Sequence, residues 1–292
     1  MVSLNQWPES IAYLAGEYVK LKDAKISPMD RGFLFGDGVY EVIPVYAGRA
    51  FLLSEHLDRL ERSLQELSIP NPHSRAEWVA LVREIIAKNS GGDLSVYLQV
   101  SRGVEMQRNH AIPSHCTPTV FLMAQALPPL PPSLLSDGAK AITTEDLRWL
   151  RCDIKSVNLL PNVLAKSQAV AADALEALLI RDGHLMEGSS SSTLIVMGGE
   201  LIAPAYSREL LPGTTRNLLQ VLAQSLGIAV RIQSISLAQL QSADEVLIGF
   251  ATRGVIPITQ IDGQPVGSGK PGPVFKQLRQ RFDERRLNPV AG

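Results

Sequence analysis

The sequence predicts an α+β protein of two domains. Its 292 residues are too many for one minimal domain and suit one large or two ordinary ones. Strand-like and helix-like segments mix in both halves. Between them lies Leu127-Pro128-Pro129-Leu130-Pro131-Pro132-Ser133, where four prolines in five positions exclude a helix or a central strand and predict a stiff, extended connector. The boundaries read from this are 1–126, a linker at 127–133, and 134–292.

In the first part IAYL and EYVKL flank Ala15-Gly16 and read as a hairpin. GVYEVIPVY and AFLL flank Ala47-Gly48-Arg49 and read as a second. A helix is expected from Ser54 as N-cap, with Leu57, Leu60, Leu64 and Leu67 as its apolar stripe. Another starts at the capping box Ser74-Arg75-Ala76-Glu77, buries Trp78, Leu81, Val82, Ile85 and Ile86, and stops near Gly91-Gly92. LSVYLQVS and TVFLMAQA read as strands.

After the seam comes strand-like KAITTE, running into WLRCDIKSVNLL, and a helix from Pro161. Hairpins are expected around Arg181-Asp182-Gly183 and around Gly198-Gly199. A helix from Thr214 to Leu226 ends at Gly227; IAVRIQSI and EVLIGF are strands, and VFKQLRQRFDERR is a last helix. The tail after Arg286, LNPVAG, reads as disordered.

Composition excludes several classes. With 28 Lys+Arg against 29 Asp+Glu there is no electrostatic reason for nucleic acid or an anionic membrane as partner. No apolar run reaches the roughly 18 to 20 residues of a membrane span. MVSLNQWPESIAYL has no basic segment before an apolar core, so a secretory signal is not expected. Cys116 and Cys152 lie outside any CxxC spacing and the five histidines form no ligand-like cluster, so no metal is expected. The chain reads as a soluble cytoplasmic protein with reduced thiols.

Each candidate motif has an ordinary reading beside its functional one. Gly36-Asp37-Gly38-Val39-Tyr40-Glu41 fails as a dinucleotide fingerprint, because Glu41 replaces the third glycine and a strand follows. GxxxxGK[ST] and GxSxG are absent. Lys155, bounded by an apolar strand, is either a snorkelling lysine or a desolvated amine that forms a Schiff base. Glu187-Gly188-Ser189-Ser190-Ser191-Ser192 is either a serine-rich loop or a carboxylate among hydroxyls suited to a cationic ring nitrogen. Leu211-Pro212-Gly213-Thr214-Thr215-Arg216 opens a helix, as ordinary capping or as a phosphate seat. Arg59 reads as part of a solvated helix face. Arg108 and His110 are either a polar loop or a carboxylate clamp.

DRGFLFGDGVYEV, EHLDRL, RNH, RWLRCDIKSVNLL, EGSSS and LPGTTR together, in this order and spacing, resemble the fold-type IV pyridoxal-phosphate aminotransferases, and among them those acting on D-amino acids. The resemblance runs from about Ala15 to Phe282. It implies a two-domain fold with pyridoxal 5'-phosphate (PLP) at the domain interface. Lys155 is implied as the Schiff-base lysine and Glu187 as the partner of the pyridine nitrogen. Arg59, Thr214, Thr215 and Thr252 are implied as phosphate ligands, with Ser190 and its neighbours tying their loop to the cofactor. Tyr40 is implied to line the substrate side. Arg108 and His110 are implied to bind the substrate α-carboxylate from a neighbouring subunit, which makes a homodimer part of the design. The implied reaction is ping-pong transamination between a D-amino acid (D-alanine, D-glutamate or D-aspartate) and a 2-oxo acid.

Two departures stand out. Ser192 occupies a position usually held by asparagine, and Gly249-Phe250-Ala251-Thr252-Arg253-Gly254 replaces a Ser/Thr-rich stretch. Ala251 removes a hydroxyl near the phosphate. Arg253 adds a cation that either points to solvent or binds an acidic substrate side chain. The same scaffold also carries branched-chain L-amino acid and (R)-amine transaminases and aminodeoxychorismate lyase. A PLP-binding protein without turnover is a further class.

Overall fold

The computed structural model describes residues 9–89 and 92–287, which form two compact units. The leader reading, the helix stop at Gly91 and the reading of the tail fall wholly or partly outside these residues. The first unit comprises residues 9–89 and 92–128 with Ile154–Asn158, and the second comprises Pro129–Asp153 with 159–287.

In the first unit β1 (Ile11–Leu14), β2 (Glu17–Lys20), β3 (Gly38–Tyr46), β4 (Arg49–Ala50), β5 (Leu94–Ser101) and β6 (Thr119–Ala126) form an antiparallel sheet ordered β2-β1-β6-β5-β3-β4. Both expected hairpins are present. Their turn residues Ala15-Gly16 and Ala47-Gly48 all have positive φ, as two-residue turns require. Of AFLL only Ala50 extends a strand, because α2 (Leu53–Glu66) begins at once. Ser54 therefore lies inside α2 and is not its cap. The capping box of α3 (Arg75–Lys88) is present as expected. Leu57, Leu60 and Leu64 of α2 and Trp78, Val82 and Ile85 of α3 cover the sheet face formed by Val39, Ile43, Val45, Val96, Leu98 and Val100.

Short α1 (Arg31–Phe35), unforeseen in the sequence, leads into β3. Asp30 caps it, accepting from the Gly32 N–H at 2.8 Å and from the hydroxyls of Ser101 and Thr119 at 2.9 and 2.7 Å. Because β4 pairs only with Val45 and Tyr46, the start of β3 has an edge to spare. Residues 154–158 fill it: the Tyr40 N–H donates to Lys155 O (2.9 Å) and the Val157 N–H to Gly38 O (3.0 Å). Ile154 joins the apolar core.

The second unit contains β7 (Ala139–Glu145), β8 (Glu176–Arg181), β9 (His184–Gly188), β10 (Ser192–Met197), β11 (Glu200–Ala203), β12 (Val230–Ile232), β13 (Glu245–Phe250), β14 (Gly254–Ile261) and β15 (Gln264–Pro265). Their order is β12-β11-β10-β13-β14-β7-β8-β9, with β15 on β14. The β11/β12, β14/β7 and β7/β8 pairs are parallel and the others antiparallel. Helices α4 (Ser133–Ser136), α5 (Leu160–Ala171), α6 (Thr214–Ser225), α7 (Leu237–Gln241) and α8 (Pro273–Leu287) accompany them. The proline connector ends in helical backbone at Pro132 and is not extended throughout. IAVRIQSI shortens to three residues, and WLRCDIKSVNLL forms no strand, so Lys155 lies on irregular chain. Among the described residues no helix is long and apolar enough to cross a membrane.

Candidate active site

Alternation along β3 sends Tyr40 and Glu41 to opposite faces of the first sheet. Tyr40 stacks on Tyr97 of β5 with ring centroids 5.7 Å apart. Lys155 Nζ lies 4.1 Å from the centre of the Tyr40 ring. Its amine makes no hydrogen bond or ion pair among the described residues. Burial pushes the Tyr97 phenol up to about 12, so it stays a neutral hydroxyl, donating to Gln99 Oε1 at 2.6 Å.

Glu41, on the covered face, is wholly buried. Its carboxylate accepts from Arg59 Nε and Nη2 at 2.7 and 2.8 Å and pairs with His56 Nδ1 at 2.7 Å. Burial alone would raise the Glu41 carboxyl, but Arg59 and then His56 hold it well below the usual carboxylate range. Burial depresses the His56 imidazole, and His56 Nε2 is buried without a hydrogen-bond partner among the described residues. Arg59 is thus a buried cation, not part of a solvated face. The sequence signal for Glu41 was a charge in phase with Val39, Ile43 and Val45.

Arg108 and His110 lie on the exposed loop between β5 and β6. Both pack on Phe35, Arg108 with its guanidinium 5.0 Å from the ring centre and His110 with centroids 5.3 Å apart.

In the second unit Glu187 of β9 is buried, and its Oε1 accepts from Arg148 Nη1 and, at 3.4 Å, from the Leu211 N–H. Oε2 has no partner among the described residues. Burial raises the Glu187 carboxyl while Arg148 opposes the rise. Arg148 is held in turn by Asp146 through Nε and Nη2, at 2.8 and 2.9 Å. Arg148 stood in the quoted sequence without a role.

The serine loop closes over a residue the sequence did not flag. Glu176, at the start of β8 and wholly buried, accepts from the hydroxyls of Ser189, Ser190 (2.9 Å) and Ser191 (2.9 Å) and from the Ser190 N–H at 3.3 Å. A Cβ at Gly188 would lie 2.2 Å from Ser191 Oγ, which explains the glycine. The donors of Ser190 are therefore turned toward Glu176. A charge opening the apolar run EALLI was the available signal.

Thr214 and Thr215 are buried in the first turn of α6, whose Gly213 cap offers no side-chain acceptor. The N–H groups of Thr214, Thr215 and Arg216 have no partner among the described residues, the arrangement of an anion seat. A Cβ on Gly213 would meet Ser192 Oγ at 2.3 Å, so Ser192 packs against this turn. Thr252 is half-buried in the β13–β14 turn beside Ala251. Arg253 is exposed, 5.9 Å from the centre of the Phe250 ring, and makes no ion pair among the described residues.

Each unit by itself carries donors whose chemistry suits a part of PLP. The first unit offers an unpaired primary amine on an aromatic face and a buried guanidinium. The second offers a buried carboxylate with one oxygen unpaired and a helix N-terminus with unpaired amides.

Comparison with known proteins agrees. A profile of the amino-transferase class IV family matches residues 38–261. The chain is 43% identical over 267 residues to a D-alanine aminotransferase of Listeria monocytogenes serotype 1/2a (strain 10403S), covering 91% of this chain and 92% of that one. It is 37% identical over 273 residues to a D-alanine aminotransferase of Staphylococcus aureus (strain COL), covering 93% and 96%. Among solved structures, the branched-chain amino acid aminotransferase of Escherichia coli superposes with a TM-score of 0.89 at 27% identity, over 95% of this chain and 94% of that one. A second branched-chain amino acid aminotransferase, from T.th. and carrying pyridoxamine 5'-phosphate, superposes with a TM-score of 0.91 at 28% identity, over 98% and 96%.

Proposed function

Since the chain belongs to the class IV aminotransferase family, we propose that it is a PLP-dependent enzyme transferring an amino group between a D-amino acid and a 2-oxo acid. The observation that carries the choice of substrate is the likeness to D-alanine aminotransferases over 91% of the chain.

When bound, PLP supplies an electron sink that makes the substrate Cα–H acidic. Lys155 would hold the cofactor in the resting enzyme, and its Nζ, free as an amine once the substrate amine has taken its place, would be the base that accepts the Cα proton. Glu187, oriented through Oε1 by Arg148, would leave Oε2 for the pyridine nitrogen. Arg59, Thr214, Thr215 and Thr252 would hold the phosphate, and Ser190 with its neighbours would tie their loop to the cofactor. Tyr40 walls the substrate side. Arg108 and His110 bind the α-carboxylate across a homodimer and so decide which enantiomer presents its Cα–H to Lys155. Arg253, exposed and without an ion pair among the described residues, favours D-glutamate or D-aspartate by pairing with the side-chain carboxylate.

The test is the visible spectrum of the PLP-loaded protein with D-alanine, D-glutamate, and L-enantiomers including branched ones. Bleaching by D-substrates alone is expected, with a D-glutamate preference that Arg253→Ala abolishes. The structural likeness to branched-chain enzymes supports a second reading. Bleaching by branched L-amino acids instead would establish it and discard the first.

A further inference from the structure

Arg108 and His110 form no hydrogen bond or ion pair through their side chains among the described residues; what they share is the ring of Phe35. The guanidinium of Arg31 approaches the same ring to 4.9 Å from its centre. Arg31 is buried and doubly paired, with Asp37 and Glu105 each at 2.8 Å. It also donates to the main-chain oxygens of Asn109 at 2.7 Å and His110 at 3.4 Å. The loop's backbone is thus clamped by Arg31 and its two reactive side chains rest on Phe35.

Phe35 ends α1, where Gly36 turns the chain with φ 68°. A Cβ there would lie 2.1 Å from Asn158 Oδ1. Two residues on, Gly38 begins the stretch of β3 that pairs with the Lys155 segment. The stretch Gly36-Asp37-Gly38, which fails as a dinucleotide fingerprint, therefore links the platform under Arg108 and His110 to the segment that holds Lys155.

We propose that Phe35, seated by Arg31, is the positioning residue of the carboxylate-binding pair. The inference rests on the reading of Arg108 and His110 given above. A long exposed arginine loses rotamer freedom when it grips an anion. Packing on the aromatic face removes part of that freedom beforehand, so the loss on binding is smaller. Phe35 acts on carboxylate affinity, for amino acid and oxo acid alike, and leaves proton transfer at Lys155 unchanged.

The test compares Phe35→Leu, Phe35→Tyr and Arg108→Gln in the PLP-loaded enzyme. Propionate binding is measured by calorimetry, and KM and kcat with D-alanine and pyruvate by assay. In Phe35→Leu the propionate Kd and both KM values should rise by about tenfold with kcat preserved, as expected for loss of a cation–π platform. Phe35→Tyr, which keeps the aromatic face, should restore them. Unchanged propionate affinity in Phe35→Leu, with weakened affinity in Arg108→Gln, would overturn the platform and leave the carboxylate reading standing. Unchanged affinity in Arg108→Gln would remove the carboxylate reading and the inference with it. A fall in kcat without a change in propionate Kd would also overturn the platform, since Phe35 would then act on the chemistry.

Discussion

Single residues here acquire their chemistry from burial. His56 is an ordinary helix residue in the sequence, yet it is wholly enclosed with Glu41 and Arg59, and burial holds its imidazole below the ordinary value of 6.5. An imidazole with a depressed folded-state pKa stabilises the fold fully above the unfolded value, and that stability is lost as pH falls. The loss begins near 6.5, where the unfolded chain takes up a proton that folded His56 refuses. Glu41, depressed by Arg59 and His56 against its burial, adds a second loss below its ordinary value of 4.5. Glu187, raised by burial, works in the opposite sense, stabilising at low pH and losing that contribution as pH rises through its folded pKa. His56→Gln should therefore flatten the fall in melting midpoint between about pH 7.5 and 5.5 relative to the parent chain. Parallel midpoint curves for the two proteins would show that His56 does not carry the acid sensitivity.

At the level of elements, legibility followed locality. The hairpins at Asp182-Gly183 and Gly198-Gly199 were readable because the positive φ their turns demand is written in two adjacent residues. The capping box of α3 is equally local. β14 was missed because Pro257 sits inside it, and proline argues against a central strand. It is accommodated since β7 starts pairing with β14 at Ile258, one residue past the proline. Of the candidate site, Lys155 and Glu187 were singled out from motif context, whereas Glu176 was not: only the fold shows that three serine hydroxyls converge on it. Glu176→Gln keeps the shape of the side chain but puts an amide donor among groups that all donate. It should cost about 2 kcal/mol, the scale of a lost charged hydrogen bond with its partner left buried, measured by denaturant unfolding. Unchanged stability would mean that the serine loop holds its own conformation.

For the molecule as a whole, the decisive feature is an excursion of five residues. The chain leaves the second unit after Asp153, contributes Ile154–Asn158 to the first, and resumes the second at Leu159. Nothing in the sequence around Lys155 announces this, because the open edge of β3 that receives it exists only once β4 has stopped short. Asp153 is anchored in the second unit by its N–H to Arg208 O at 3.0 Å, and α5 begins at Leu160. With the second unit folded, both ends of the excursion are fixed and its insertion costs little loop entropy; with that unit unfolded, the same pairing closes a longer, looser loop. The first unit is therefore more stable when the second is folded, and the two should melt together. Ile154→Ala tests this, because Ile154 is buried in the core of the first unit. The substitution should cost about 2–5 kcal/mol, lower a single calorimetric transition, and speed hydrogen exchange at the Tyr40 amide that bonds to Lys155. Two resolved transitions, with only one displaced by the substitution, would show that the lysine segment does not couple the folding of the units.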